Sequence, residues 1–292
     1  EEIAVTNSRI DGLEARFNNL EAGSFSETTT ASFGVDFLVG AEDGAASEAA
    51  AFGYQMGIGL ETSFTGEDAL SATIDIGDGA SGALAFDDTA DVLTLDGLTY
   101  TFPVGGATVM VGDNTDISAL YTGACAYNAF TDYAGNCGTG NSVGLGGNGA
   151  TAAMSYAFDS GFSLAGGVSS TTATILTGDT ANSDLFGIEA AYTADSFGVS
   201  VAYSDAEGTT GWGINGMYAF DAVTISAGVE SVDSGTTAEG FFVGLSFPEV
   251  GPGSFDIGMG TTANFADGDT EYYTYEASYA YPLNDGVTIT PG

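Results

Sequence analysis

Carboxylates are the only abundant groups in this sequence that offer acid–base or ligand chemistry. The 292 residues include 40 Asp and Glu, 2 Lys and Arg and no His, which gives a formal net charge of -38. Without His or Lys, a Ser-His-Asp triad, a Cys-His pair, a Schiff-base lysine and a His-ligated metal are excluded. Paired carboxylates could still act as in glycosidases. Because close pairs arise by chance among so many acids, we expect that the chain is not an enzyme.

Positive charge is confined to the first residues of the chain. Arg9 and Arg16 are the two basic residues, and none follows between residues 17 and 292. Nucleic acids are bound largely by neutralising their phosphates with Lys and Arg. We therefore expect no nucleic-acid partner.

Most of the chain alternates apolar with small or polar residues at a period of two. Ala107, Val109 and Val111, for example, alternate with Thr108 and Met110. This period is typical of strands with two different faces. The sequence predicts about fifteen such strands of roughly ten residues, the length that a tilted membrane strand needs. No apolar run reaches the roughly 20 residues of a spanning helix.

The connections between the predicted strands are alternately short and long. Thr65 to Asp68 and Gly105–Gly106 are short, whereas 40–51 and 77–96 are long. Aromatic residues of the apolar parity flank the short turns, as expected at a membrane–water interface. These aromatic residues are Phe64, Phe102, Phe158, Phe162, Tyr192, Phe197, Tyr218, Phe220, Phe247, Phe255 and Tyr281. Together the two patterns predict an all-β, transmembrane antiparallel barrel with short periplasmic turns and external loops.

The longest connection, residues 113–149, is predicted to be a third external loop that folds into the pore. Structureless loops of this length are uncommon in compact domains and are usually functional. Cys125 and Cys137, the two cysteines of the chain, lie within it. In an oxidising compartment they are expected to form a disulfide, with two free thiols as the alternative. Acidic residues of the loop that would face the pore are Asp113, Asp116 and Asp132.

Seven acidic residues share the inward parity of the predicted strands. They are Asp36, Glu61, Asp75, Glu189, Glu230, Asp256 and Glu276. We expect them to line the pore and, with no base to oppose them, to make the channel cation-selective. The simpler interpretation is that they form the polar face of a wet lumen, without a role in selectivity.

Two further acidic clusters fall in predicted external loops. They are Asp87, Asp88 and Asp91, and Asp267, Asp269 and Glu271. Carboxylate oxygens are suitable ligands for Ca²⁺ or Mg²⁺. Neither cluster matches a complete calcium-loop motif, so solvated acidic loops are the alternative. No other cofactor is expected.

Residues 1–22 have the pattern of the end of a coiled-coil helix. Ile3, Ile10, Leu13, Phe17 and Leu20 fall on a and d heptad positions. A helix that packs on its own barrel is the alternative. Residues 23–30 are a polar linker, and residues 31–292 form the predicted barrel. If the chain enters from the periplasm, the fifteenth strand rises from Gly286, and an even-numbered barrel then requires a closing strand beyond residue 292.

Several segments resemble cyanobacterial outer-membrane porins, which are related to the carbohydrate-selective porin group. The most specific is the junction from Ile10-Asp-Gly-Leu-Glu-Ala-Arg-Phe to Phe25-Ser-Glu-Thr-Thr-Thr. Similar agreement is found in Leu98-Thr-Tyr-Thr-Phe-Pro, in Phe186-Gly-Ile-Glu-Ala-Ala-Tyr and at the end, in Asp285-Gly-Val-Thr-Ile-Thr-Pro-Gly. The resemblance implies a sixteen-stranded, homotrimeric barrel in outer-membrane lipid, with its N-terminal helix in the periplasm. It also implies attachment to peptidoglycan through a domain that these residues do not contain.

Two functions are compatible with these features. The first is an outer-membrane porin, a passive diffusion channel for small hydrophilic solutes and inorganic ions. The second is a Ca²⁺-dependent, acidic, β-rich subunit of a surface layer or filament. The alternating turns and loops and the uncharged apolar parity favour the porin, because in water that apolar face would be a large exposed patch.

Overall fold

The computed structural model describes residues 28–41, 50–79, 89–140, 149–171, 176, 184–206 and 208–292. Among those residues, no helix is both long enough and apolar enough to cross a bilayer. The predicted coiled coil and nearly all of the linker lie outside the described residues, as do Asp87 and Asp88.

The described residues form one antiparallel sheet of 16 strands. The strands are β1 (Thr29–Gly40), β2 (Ala51–Thr62), β3 (Ala69–Asp78), β4 (Thr94–Val104), β5 (Ala107–Thr115), β6 (Gly149–Ala157), β7 (Phe162–Ser170), β8 (Asp184–Thr193), β9 (Phe197–Ala206), β10 (Thr209–Ala219), β11 (Thr224–Asp233), β12 (Thr237–Val250), β13 (Gly253–Thr261), β14 (Phe265–Ala266), β15 (Tyr273–Asn284) and β16 (Val287–Ile289). Each strand pairs with the next in sequence, apart from β14. The predicted all-β antiparallel architecture of about 16 strands is confirmed.

The short strand β14 was not expected from the sequence. It pairs with the start of β12, opposite Ala238 and Glu239, and lies off the main order of strands. Strand β15 pairs directly with β13, so the main sheet passes from β1 to β13 and then to β15 and β16. Within the described residues, β1 and β16 pair with one neighbour each and form the two edges of the sheet.

The two faces of the sheet differ in residue type and in burial. Large apolar side chains such as Phe33 (72% exposed), Met154 and Ile188 stand out on one face, called the outer face here. The other face carries small and polar residues, many of them buried by the connection between β5 and β6, and is called the inner face. Aromatic rings at the short turns contact each other on the outer face, including Phe162 with Tyr192 at 4.7 Å between ring centroids.

The turn between β2 and β3 shows how a short connection is fixed. The Asp68 carboxylate accepts hydrogen bonds from the Thr65 N–H (2.7 Å), the Phe64 N–H (3.0 Å) and the Ser63 hydroxyl (2.9 Å). The Tyr100 hydroxyl donates to its second oxygen (2.7 Å). Hydrogen bonds from the backbone N–H and the hydroxyl of Thr65, and from Tyr100 and Ser63, hold the pKa of Asp68 well below its usual range.

Candidate functional site

The described part of the connection from β5 to β6, residues 116–140, lies on the inner face of the sheet. It consists of an outgoing limb, residues 116–131, and a return limb, residues 132–140. The limbs contain the 3₁₀-helices Ile117–Leu120 and Asp132–Gly138. One predicted acidic residue of the loop is placed elsewhere: β5 continues to Thr115, and Asp113 pairs with Leu98 on β4. Asp113 therefore belongs to the strand, because the ladder continues past the point where apolar alternation stops.

The outgoing limb begins with a capped helical turn that is packed into the sheet. The Asp116 carboxylate accepts a hydrogen bond from the Ser118 N–H (2.6 Å), which caps the first 3₁₀-helix. Ile117 is completely buried and clusters with Met110 and Leu185. This apolar cluster fixes the point at which the chain leaves the end of β5 and turns across the inner face.

Glu189 on β8 holds the next part of the outgoing limb. Its carboxylate accepts hydrogen bonds from the backbone N–H groups of Thr122 (2.7 Å) and Gly123 (2.8 Å). The Thr122 and Ser163 hydroxyls form a further bond of 2.7 Å to β7. One charged acceptor thus binds two consecutive N–H groups of the limb, and hydrogen bonds to a charged group are the stronger kind.

Asn215 on β10 binds both limbs at once. Its Oδ1 accepts from the Ala124 N–H (2.9 Å) and the Ser200 hydroxyl (2.8 Å), and its Nδ2 donates to the Thr139 hydroxyl (3.0 Å). Ala124 belongs to the outgoing limb and Thr139 to the return limb. The side chain thus cross-links the two limbs and attaches them to the middle of the sheet. Asn215 was not predicted from the sequence, since a polar residue at an inward position carries no further signal.

A disulfide joins the same two limbs next to Asn215. Cys125 and Cys137 are bonded to each other, as predicted. Cys137 is fully buried and packs with Ala134 and Phe242. A Cβ on Gly228 of β11 would collide with the Cys137 carbonyl oxygen, so glycine there allows the loop to approach the sheet.

Tyr127 lies over two glycines of neighbouring strands. Any Cβ on Gly244 of β12 or on Gly258 of β13 would overlap the Tyr127 side chain. Its ring also contacts the ring of Phe242, with centroids 4.8 Å apart. Burial, together with the nearby Glu276 carboxylate, raises the pKa of the Tyr127 phenol, which is therefore uncharged at neutral pH.

The outgoing limb ends at Glu276 on β15. The Glu276 carboxylate accepts hydrogen bonds from the Phe130 N–H (3.0 Å), the Thr131 N–H (3.1 Å) and the Thr131 hydroxyl (2.5 Å). From Ser163 on β7 to Glu276 on β15, the limb therefore crosses most of the inner face. It is attached to successive strands along the way.

The structure divides the seven predicted pore acids into two groups. The buried group comprises Asp75, Glu189, Glu230, Asp256 and Glu276. Asp36 and Glu61 are exposed, and both lie on the first two strands, away from the loop. Glu230 accepts a hydrogen bond from the Asn264 amide (2.8 Å), so the segment between β13 and β15 also folds onto the inner face. Parity alone could not reveal this division, since all seven share the inward parity.

The described acidic residues of the two external clusters have separate hydrogen-bond partners. Asp91 accepts a hydrogen bond from the Tyr54 hydroxyl (2.5 Å), Asp269 accepts one from the Ala266 N–H (3.2 Å) and Glu271 accepts one from Tyr273. Asp267 lies with Asp269 and Glu271 in the segment between β14 and β15. Across the described part of the chain, no group of three or more Asp, Glu, Cys or His side chains is arranged to hold a metal ion.

Of the other acidic residues predicted in the pore loop, Asp132 begins the second 3₁₀-helix.

A sheet of this kind with a loop fixed across its inner face is the architecture of a porin, and the sequence agrees. The sequence profile of Gram-negative porins matches residues 31–290. This chain belongs to the Gram-negative porin family. The family consists of outer-membrane channel proteins rather than enzymes, which places this porin in the outer membrane and confirms the expectation that it is not an enzyme.

Solved structures and one curated protein are similar to this porin. A variant of the Rhodopseudomonas blastica porin aligns with a TM-score of 0.57 and 17% identity over 90% of this chain and 92% of that one. A triple variant of the same porin gives 0.58 and 16% over the same shares. At this identity the likeness shows the fold. An uncharacterised protein of Nostoc sp. is 39% identical over 90 residues, which is 30% of this chain but 15% of that protein.

Proposed function

We propose that this porin is a passive diffusion channel for small hydrophilic solutes and inorganic ions, and that it prefers cations. The observation that carries the proposal is the placement of the exposed acids. Asp36 and Glu61 are exposed on the inner face of β1 and β2, whereas the hydrogen bonds that hold the described part of the loop reach β7, β8, β10 and β15. No Lys, Arg or His follows Arg16 in the whole chain. The path beside the loop therefore has acidic walls and no positive charge.

The space between the base of the loop and the sheet supports a route for hydrated solutes. A cavity of about 290 Å³ separates the start of the outgoing limb from β3 and β4. It is lined by polar groups that include Ser71, Thr73, Thr99, Asp96 and Asp116. Hydroxyl and carboxylate oxygens can replace part of the hydration shell of a cation, and the carboxylates also repel anions. Charges that share a narrow pore with low-dielectric walls also reinforce one another.

Neutralising the exposed acids tests the source of the preference. In planar bilayers, the double variant Asp36→Asn, Glu61→Gln should lower the ratio of cation to anion permeability while the conductance remains high. Glu249→Gln removes an exposed charge at a short turn, at the end of β12, and is the matched control. The proposal fails if the double variant and the control change the permeability ratio equally.

Diffusion of uncharged solutes tests the channel itself. Proteoliposomes that contain the porin should swell when diluted into small sugars or amino acids, at rates that fall steeply as the solute becomes larger. Equal swelling rates of liposomes with and without the porin would contradict a diffusion channel. Because uncharged solutes do not respond to Asp36 or Glu61, this result is independent of the cation preference.

We also propose a homotrimer, on the basis of family membership and of the apolar outer face. Residues 1–22 would add a periplasmic coiled coil to the assembly, with peptidoglycan bound by a domain outside this sequence. Crosslinking in native membranes should then give trimers, and exclusively monomeric products would contradict the assembly. Family membership argues against the alternative function, a subunit of a surface layer or filament. Weak binding of Ca²⁺ or Mg²⁺ at two separate external clusters, Asp87, Asp88 and Asp91 and Asp267, Asp269 and Glu271, remains a proposal.

A further inference from the structure

Three oxygen-bearing side chains form a row on the inner face beneath the far end of the loop. Ser246 on β12 pairs with Asp256 on β13, and Asp256 pairs in turn with Ser278 on β15. Directly paired residues on one face of an antiparallel sheet have their Cβ atoms about 5 Å apart. The Asp256 carboxylate therefore stands between two hydroxyl groups on adjacent strands.

The central carboxylate of this row lacks a protein partner for one oxygen. Asp256 is 2% exposed, and its Oδ1 is buried without a hydrogen bond from any described residue. The Ser246 hydroxyl and the Tyr127 hydroxyl are buried without a bond as well. Most buried polar groups in folded proteins have a partner, because leaving one unpaired is costly. Three such atoms close to one carboxylate indicate a group that the protein chain itself does not supply.

The neighbouring row closes the site from the other side. Gly244, Gly258 and Glu276 pair across the same three strands, and the Tyr127 ring occupies the space over the two glycines. The Tyr127 hydroxyl is turned toward Glu276 without a hydrogen bond of normal geometry. Tyr127 thus covers the part of the inner face where Asp256 and Glu276 lie on adjacent strands, offset by two residues.

Charge decides which ligand fits. Two carboxylates are buried together, and no basic residue follows Arg16 that could pair with either. Buried ions need compensation by an opposite charge. The available donors are all oxygen atoms, which is the ligand set of hard cations, and two carboxylates match the charge of a divalent ion. We propose that Asp256, Glu276, Ser246, Ser278 and the Tyr127 hydroxyl bind one Ca²⁺ ion between the sheet and the loop.

This site is separate from the proposed cation preference and from the external acidic loops. It lies beneath Tyr127 rather than along the exposed acids of β1 and β2. A Ca²⁺ ion there would link the loop to β13 and β15, next to the hydrogen bonds that Glu276 receives from Phe130 and Thr131. Its presence or absence can therefore be measured without any assumption about what passes through the channel.

Calcium titration of the detergent-solubilised porin, after treatment with a chelator, tests the site. Many surface acids bind Ca²⁺ weakly, so the informative quantity is the difference between variants. Asp256→Asn should remove one tight site and the Ca²⁺-dependent rise in unfolding temperature, whereas the exposed control Asp36→Asn should retain both. In chelator, Asp256→Asn should be at least as stable as the wild type, because it no longer buries an uncompensated charge.

A second variant guards against a general loss of structure. The double variant Ser246→Ala, Ser278→Ala keeps both carboxylates and should weaken Ca²⁺ binding by about tenfold or more, the scale of effects from groups that support a metal site. Equal Ca²⁺ stoichiometry and equal thermal shifts in the wild type and Asp256→Asn would overturn the proposal. So would an infrared band of a protonated carboxyl group that is present without Ca²⁺ and is lost in Asp256→Asn, because a proton would then be the compensating charge.

Discussion

Thr131 and Glu276 are joined by two hydrogen bonds, one from the Thr131 N–H (3.1 Å) and one from its hydroxyl (2.5 Å). With the bond from Phe130, they attach the end of the outgoing limb to β15, on the far side of the sheet from the origin of the limb on β5. The outgoing limb is also attached at Glu189 and Asn215, so removing it from the inner face would require breaking all of these hydrogen bonds together. We expect its position to set the width of the channel.

Weakening the attachment at Glu276 should loosen the loop. Glu276→Gln leaves one carbonyl oxygen for three donors, and hydrogen bonds to a charged group contribute about 1.5–3 kcal/mol each. We expect lower thermal stability and larger fluctuations in single-channel current, because the loop end can leave the sheet. Glu61→Gln removes an inner-face charge that the loop does not contact, so it should leave the current noise unchanged. Equal noise in both variants would contradict the role of Glu276.

The disulfide and Asn215 should act as parallel cross-links between the limbs. Closing a 12-residue separation contributes about 3 kcal/mol in the chain-entropy account. Cys125→Ser with Cys137→Ser should loosen the loop, Asn215→Ala should do so less, and the combined variant should lose more than the sum of the two. Hydrogen exchange of the loop amides measures this coupling. Strictly additive effects would mean that the two links are independent.

The close approach of Tyr127 to the sheet should make two glycines intolerant of substitution. Gly244→Ala and Gly258→Ala place a Cβ against the Tyr127 side chain. Overpacking of this kind typically lowers the free energy of unfolding by about 1–3 kcal/mol. Gly34→Ala on β1 is the matched control, because no atom lies within 4 Å of its Cβ position. Melting temperatures of the three variants decide the matter, and a Gly34→Ala variant as unstable as the other two would refute the packing argument.

Asp68 should make the β2–β3 turn sensitive to acid. Its pKa is lowered in the folded protein, so the ionised form stabilises the fold above the unfolded pKa of about 3.9. That contribution declines as the pH falls below this value toward the folded pKa, where the carboxylate takes up a proton. Asp68→Asn should therefore unfold more easily at neutral pH, and the difference from the wild type should shrink in acid. A difference that grows as the pH falls would have the wrong sign.

Local periodicity was sufficient to predict the strands of the main sheet, but neither the short strand β14 nor the path of the loop. Alternation in residues such as Val109 and Val111 fixes which face a side chain occupies, and the presence of only two cysteines leaves one intramolecular pairing. Asp36 and Glu189 have the same parity, yet one is exposed and the other holds the loop, because contacts distant in sequence decide the matter. The inner-face glycines Gly228 and Gly258 were an available signal, since glycine within a strand often marks the close approach of another segment.

The reversal potential across a KCl gradient tests the central claim most directly. With Asp36 and Glu61 exposed and no base in the barrel, the sign of the potential should correspond to K⁺ passing more readily than Cl⁻. The preference should be strong in dilute salt and weaken toward molar salt, because the Debye length falls from about 10 Å at 0.1 M to about 3 Å at 1 M. A potential of the opposite sign, or one that ignores ionic strength, would contradict a pore lined by unopposed carboxylates.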